Sequence, residues 1–477
     1  MCDYKLPGGV ETLRIASFVE HKDPTPAIPH SNPLLLGQYN TEAILRKHIE
    51  RLGGVVEYGT ELRSFTQHAD SVEAVVATKA GDAEKLETVF CHWLVGSDGT
   101  KGVVRKQLGL SFVGETSEEG QLLIGLVEVQ GLGTEYFHAW GEISAGGVVL
   151  MPTEKPGYFS MLISGNDIDL RRMADDRDAI RQLLRKRVDR QDLVFGAFEA
   201  VSYWRPNIRM VDKFGEGRVF VAGDAAHAHS PAGGQGLNSS VQDAFNIAWK
   251  LALVEKHAAS PSLLATYNEE RLPVIAAMLQ KSTLLFNAMQ KGKEDGWKRG
   301  GDLFQLGVNY RWSSIVVDER TPKPKGPEEV NPYGDGSDGS LRAGDRAPDA
   351  PGLLPVSGGA PTSLFDVFGP NHHTVLLFNV PAEESERVLA VTRNYPDGLV
   401  KAVVISPQGA SAAKVAGQPD VAAVDQDGHA FAGYQVPLEE PTIVIVRPDG
   451  VVGGTVYSLS GFQEYFRNVF SLVEAGL

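Results

Sequence analysis

The spacing of apolar and polar positions divides the chain into blocks of different period. Residues 1 to 40 are polar and rich in proline, with little periodicity. From Thr41 onward, Ile44, Leu45, His48, Ile49 and Leu52 share one face at helical spacing, and Gly53-Gly54 ends the helix they predict. The stretch "VVEYGTELRSFTQHADSVEAVVATKAGDAEKLETVFCHWLVGSDG" alternates short β-rich runs with turn residues and closes on an apolar "WLVG" that reads as a buried strand. "QLLIGLVEV" and "GGVVLMPTEKPGYFSMLIS" predict an antiparallel sheet in mid-chain, and "DAIRQLLRKRV" a short helix behind it. Helical patterns then run to about Arg311.

Residues 321 to 340, "TPKPKGPEEVNPYGDGSDGS", lose all periodicity and are rich in proline, glycine and acids, the composition of a linker. Beyond them "HTVLLFNV", "LVKAVVIS" and "PTIVIVRPDGVVGGTVY" predict strands separated by helical stretches, with a hairpin turn at Asp449-Gly450. With 477 residues the chain exceeds a single compact core. Its 42% hydrophobic and 22% charged content is that of a globular protein, and a formal net charge of −15 argues against a nucleic-acid partner. Cys2 and Cys91 alone build neither a disulfide framework nor a cysteine metal site, and no cluster of His, Asp or Glu points to a metal. The first residues carry no basic and apolar leader, and no apolar run approaches the roughly 20 residues of a bilayer span. The expectation is a cytoplasmic protein without a membrane partner.

The richest stretch is "GRVFVAGDAAHAHSPAGGQGLNSSVQDAFNIAWKLAL", residues 217 to 253. Val219 to Ala222 suit a buried strand of a parallel sheet, and Gly223-Asp224 stands at its carboxyl end, where open α/β sheets bind ligands. Gly233, Gly234 and Gly236 allow a ligand to approach the backbone closely. The helix that follows presents unpaired N–H groups and a partial positive charge at its start. Its Val241, Ala244, Phe245, Ala248, Leu251 and Ala252 recur at helical spacing and predict a core face. His227 and His229 are read as ordinary loop histidines.

These residues resemble the second FAD-binding motif of the aromatic-ring flavoprotein hydroxylases, the phenol-hydroxylase-like single-component monooxygenases. "LVGSDGTKGVVRKQLGL" resembles the family's middle Asp-Gly motif, and "LGQYNTEAILRKHIERLGGVVEYGTELRSF" the segment whose glutamine lies along the flavin's ribityl and phosphate portion. "YWRPNIRMVDKF" and "LGVNYRWSSIVVDE" resemble flanking segments. The resemblance implies cofactor contacts at Gln38, Asp98, Gly99, Gly223, Asp224, Pro231, Gly234, Gly236, Leu237 and Asn238. Asp224 would hold a ribityl hydroxyl, and Pro231 would pack beside the isoalloxazine ring. Tyr158, Tyr203 and Trp204 are candidate substrate walls, with a core role as the alternative. No catalytic base is assigned.

The implied fold is α/β, a remnant of the FAD-binding fold of the p-hydroxybenzoate hydroxylase type with a mixed-sheet substrate domain and a C-terminal thioredoxin-like domain. Residues 1–110 and 211–320 would form the FAD-binding domain without its first β-α-β unit, 111–210 the substrate domain, 321–340 the linker, and 341–477 the thioredoxin-like domain. The family opens with a strand, a G-x-G-x-x-G turn and a helix. That unit is not found ahead of Thr41, and Gly234 to Ser239 lacks the third glycine, so an N-terminal truncation is expected. Pro441 would precede a central strand as a cis-proline, and no C-x-x-C accompanies it.

Three readings stay open. The first is an FAD- and NAD(P)H-dependent monooxygenase that hydroxylates a phenolic or polyketide-like aromatic through a flavin C4a-hydroperoxide. The second is a relative with weak or no FAD binding doing redox-neutral work such as a cyclisation. The third is a non-catalytic binding or dimerisation protein, and a homodimer is compatible with each.

Overall fold

The computed structural model describes residues 1–471 apart from Phe18, Asp82, Glu118, Asn166, Pro231 and the stretches 292–299, 325, 327–328, 335–338 and 410–416. The chain forms two compact units, each assembled from separate segments. One comprises Met1–Glu20, Pro33–Leu237 and Met278–Leu303, the other His21–Asn32, Asn238–Ala277 and Phe304–Leu477. Residues 321–340 thus fall within the second unit.

The first unit is built on a seven-stranded sheet. Its order is Val194–Trp204, Leu122–Gln130, Tyr158–Ser164, Val148–Pro152, His138–Trp140, Cys2–Tyr4 and Thr12–Ile15. Alternation along Leu122–Gln130 explains its two covered faces. Leu123 and Val127 pack with Leu170, Ile180 and Leu184 of the helices on one side. Leu122 and Ile124 pack with Ala232 and Phe286 on the other. The opening strands come from residues whose sequence shows no period, and they are held by Tyr4 Oη 2.8 Å from His138 Nδ1 and by stacking of Tyr4 on Trp140. A smaller sheet pairs Val219–Val221 in parallel with Leu94–Gly96, which is its outer strand. The predicted helix after Asn40 spans Gln38–Arg51, with none of its residues buried.

The second unit holds a seven-stranded sheet of order Val317–Asp318, Val452–Val456, Thr442–Val446, His373–Phe378, Val400–Pro407, Val421–Asp425 and Leu353–Pro355. The hairpin at Asp449-Gly450 forms as its sequence requires, with Gly450 at φ 75°. Glu440–Pro441 is trans, against the expected cis-proline; among the described residues the cis peptide bond is Leu6–Pro7.

The long helix Gly236–Glu255 buries a different face from the one its apolar residues predict. Val241 and Phe245 are 43% and 51% exposed, while Asp243, Asn246, Ile247, Trp249 and Lys250 are buried. The cause is a layer of buried ion pairs in the second unit. Arg271 Nε donates to Asp243 Oδ1 at 2.7 Å, and Lys250 Nζ to Glu270 Oε2 at 2.8 Å. The helix that carries Glu270 and Arg271 belongs to a stretch, Pro261–Gln290, that is long and apolar enough by length and composition to cross a membrane. Its Val274, Ile275 and Met278 are buried.

His373 lies fully buried among Trp249, Tyr465 and Phe470, and neither ring nitrogen has a partner among the described residues. Burial, with Arg447 and His372 adding to it, pulls its pKa down to about 3. The folded protein keeps this ring neutral while the unfolded chain protonates it below about 6.5. Stability is therefore expected to fall as the pH drops through 6.5 toward 3. His373→Leu removes a ring that makes no hydrogen bond, so it should flatten that acid slope in pH-dependent melting; an unchanged slope would mean other groups set it.

Candidate active site

Two sequence motifs about 120 residues apart meet because their strands are neighbours. Leu94–Gly96 and Val219–Val221 run parallel, so Asp98-Gly99 and Gly223-Asp224 leave the same edge of the sheet. Such a carboxyl edge is where α/β sheets place ligands. Gly223 and Gly99 take positive φ of 58° and 77°, which turns the chain sharply at both exits. Asp224 is exposed, at the start of the turn Gly223–Ala225. Asp98 is spent locally: its Oδ2 accepts Val103 N at 2.6 Å and Val104 N at 3.0 Å, closing the start of the short helix Val103–Gln107. Its neighbours Thr100 and Lys101 face a cavity instead.

That cavity has a volume of about 1010 Å³ and lies within the first unit. Its floor is Asp224, His229, Ser230 and the backbone of Gly234 to Gly236. Apolar walls come from Phe112, Leu122, Ile124, Tyr203 and Trp204. Arg205 and Arg209 join Lys101 as cations of the lining. Arg209 donates to Asn207 Oδ1 at 2.9 Å and to Phe112 O at 3.0 Å, both neutral acceptors. Behind Phe112, the guanidinium of Arg105 stacks on its ring at 4.0 Å. Burial pulls the Arg105 pKa down, with Asp98 opposing and Arg209 adding to the shift.

The sequence candidates are distributed unequally around this space. Asp224, Gly234, Gly236, Tyr203 and Trp204 line it. Gly223 is buried in the turn, Leu237 is exposed, and Asn238 begins the second unit. Gln38 opens an exposed helix and donates to Glu42 Oε1 at 2.8 Å, away from the lining. Tyr158 is also outside the lining, with Lys155 Nζ over its ring at 3.8 Å. Pro231 lies outside the described residues. His227 is fully buried with its Nδ1 2.9 Å from His229 Nε2, so the two rings share one proton position. Lys101, Arg209 and Gln235 went unnoticed in the sequence. Arg209 could have been found from the alternation of Asn207–Val211, which puts Asn207 and Arg209 on one face.

The loop fits the ring and ribityl end of a flavin. A Cβ built at Gly234 or Gly236 would meet nothing within 4 Å, so the backbone there is open to a flat ligand. Gly236 also opens a 20-residue helix, whose first N–H groups suit electron-rich atoms. A literal G-x-G-x-x-G occurs in the chain at residues 334–339, in the stretch read as a linker and largely outside the described residues. A strand-end carboxylate, a second Asp-Gly exit beside it and an open glycine loop at a helix start define a flavin-binding α/β protein.

Comparison with known proteins gives the same class. A model of the FAD binding domain family matches residues 14–282, more than half of the chain. A flavin-dependent monooxygenase of Mycobacteroides abscessus is 36% identical over 480 residues, which cover 98% of this chain and 86% of its own. Pentachlorophenol 4-monooxygenase of Sphingobium chlorophenolicum is 31% identical over 397 residues, 79% of this chain and 68% of its own. The crystal structure of aklavinone-11 hydroxylase with FAD and aklavinone superposes with a TM-score of 0.75 at 24% identity, covering 98% of this chain and 85% of that one. The chain belongs to the FAD-binding flavoprotein monooxygenases, an enzyme family whose cofactor is FAD. The family match begins at residue 14 and gives the expected N-terminal truncation no support.

Proposed function

We propose that this protein is an FAD- and NAD(P)H-dependent hydroxylase of a phenolic or polyketide-like aromatic. The observation that carries the proposal is the shared exit of the two motifs into one cavity with aromatic and aliphatic walls. The relatives support the substrate class: one is named for pentachlorophenol, and aklavinone is bound in a structural neighbour. When bound, the flavin supplies the redox chemistry, accepting hydride equivalents and activating O₂.

The chain's own residues bind, orient and shield. Asp224 would accept a hydrogen bond from a ribityl hydroxyl, and the backbone of Gly234 and Gly236 would receive the flat ring. The N–H groups at the start of Gly236–Glu255 would favour negative charge on a ring held there. Leu122, Ile124 and Trp204 exclude water and flank an aromatic substrate. Lys101 and Arg209 bring positive charge to the lining, which favours an ionised hydroxyl on the substrate. No step of this chemistry needs a cysteine or serine nucleophile.

In the second unit, strands on both sides of His373–Phe378 support the thioredoxin-like reading. Cys2 and Cys91 are the chain's cysteines and both lie outside that unit, so disulfide exchange is not its work. The test is to load the purified protein with FAD and follow NAD(P)H oxidation with and without a panel of phenols and polycyclic hydroxyarenes. Stimulated oxidation with a hydroxylated product supports the proposal. Oxidation that no aromatic stimulates, with no product by mass spectrometry, defeats it.

A further inference from the structure

The glycine loop has an open side and a seated side, and one residue joins them. Gly234 and Gly236 face open space, whereas a Cβ at Gly233 would stand 3.4 Å from Leu303 and 3.6 Å from Leu285. Gly233 and Gly234 are consecutive left-handed residues, at φ 93° and 67°. Two such glycines lose more backbone freedom on folding than any other pair, so the loop keeps one shape only if something pins it. Gln235 stands between the two sides. It is 2% exposed, rare for a glutamine, and lines the cavity. Its Nε2 donates to Gly233 O at 2.7 Å and to Leu303 O at 3.0 Å. The second acceptor belongs to the turn Gly301–Phe304, which is fastened in its turn by Lys281 Nζ to Asp302 Oδ2 at 2.6 Å.

We infer that Gln235 is a positioning residue: its amide ties the flavin loop to the turn at Gly301–Phe304 and so fixes where the open backbone of Gly234 and Gly236 meets the cofactor. The inference rests on the loop being the flavin site. It assigns a role to a side chain that touches two carbonyls of the chain, and it makes the surface pair Lys281–Asp302 the outer end of the same brace. The two neutral donations explain why this buried position holds an amide. A carboxylate there would oppose two carbonyl oxygens, and an apolar side chain would leave both without their donor.

The test uses the full chain, FAD as the probe, and the variants Gln235→Met, Gln235→Glu and Asp302→Asn. FAD binding is read by quenching of flavin fluorescence, and the visible bands of the bound flavin report the ring's surroundings. Loss of two hydrogen bonds should weaken FAD binding about tenfold or more in Gln235→Met and Gln235→Glu. The melting temperature of the FAD-free protein should fall in both, more in Gln235→Glu, while the visible bands of the flavin that still binds should shift, a readout that lost stability alone would not move. Asp302→Asn, at the exposed end, should weaken binding by about two- to threefold. FAD affinity and flavin bands unchanged in a folded Gln235→Met would overturn the inference. If both Gln235 variants fail to fold, Asp302→Asn decides: the parent's affinity and bands overturn it, and the small loss with shifted bands upholds it. A parent protein that binds no FAD would instead overturn the reading of the loop as a flavin site, and the inference with it.

Discussion

Replacing Glu270 by alanine is expected to cost the second unit about 3–5 kcal/mol of stability, the usual consequence of stranding buried charges. Both of its oxygens are fully engaged. Arg447 donates to Oε1 at 2.7 Å and to Oε2 at 3.0 Å, Ser313 Oγ to Oε1 at 2.7 Å, and Lys250 Nζ to Oε2 at 2.8 Å. Burial alone would raise the Glu270 pKa, but Arg447 and Lys250 hold it well below the carboxylate range. The Lys250 pKa is pulled down as well, to about 8, because its burial outweighs an anion it shares with Arg447. Taking the carboxylate away leaves Lys250 buried beside Arg447. Replacing Glu270 and Lys250 together by apolar residues of similar size should cost less than the single change, since it removes Lys250 along with its anion while Arg447 keeps Asp449, to whose Oδ1 its Nε donates at 2.9 Å. Urea unfolding followed by the fluorescence of Trp249 and its neighbours measures both. A loss below about 1 kcal/mol for Glu270→Ala would mean water already reaches these charges.

The second large effect belongs to the cofactor. Asp224→Ala should weaken FAD binding by about 10- to 100-fold, the range of a charged hydrogen bond worth about 1.5–3 kcal/mol. Asp224 is exposed at a turn, so thermal unfolding of the FAD-free protein should hardly change. Asp224→Asn keeps an acceptor and should lose less. Equal FAD affinity in Asp224→Ala and the parent would show that the carboxylate does not touch the cofactor, and would move the ribityl contact to another residue of the lining.

Much of this site was legible in the sequence, and the reasons for the gaps are physical. Gly223-Asp224 and Asp98-Gly99 follow short apolar runs, and a run of that kind predicts a buried parallel strand whose carboxyl end binds ligands. The pairing that makes them one site is a tertiary fact that neither motif contains. The long helix was misread because apolar spacing is a guide to burial only when charges stay outside. Asp243, Asn246 and Lys250 read as a solvated face, and their partners Arg271, Glu270 and Arg447 come from distant segments. Gln38 was assigned to the cofactor by the resemblance alone, since nothing in its local sequence separates a ligand-bound glutamine from a solvated one, and here its amide turns to Glu42. Gln235 was hidden in plain view among glycines, since its meaning depends on Leu303, far away in sequence. The opening strands escaped because Thr12–Ile15 alternates over four residues only, too short a run to set apart, and none of the four is buried.

The outermost strand of the small parallel sheet has a consequence for how that region breathes. Leu94 N donates to Arg218 O at 3.1 Å and Gly96 O accepts Ala222 N at 3.0 Å, so the residues on either side of Val95 bond inward. Parallel pairing then turns the Val95 amide toward the free edge. Deuterium should enter at Val95 within the earliest exchange times, while Ala222, one strand inward, stays protected until the sheet opens. The cofactor's seat would thus be bordered by a slow amide and a fast one only a strand's width apart. Whatever changes the exchange at Val95, whether a ligand or a partner, would be reporting from the strand that leads to Asp98-Gly99.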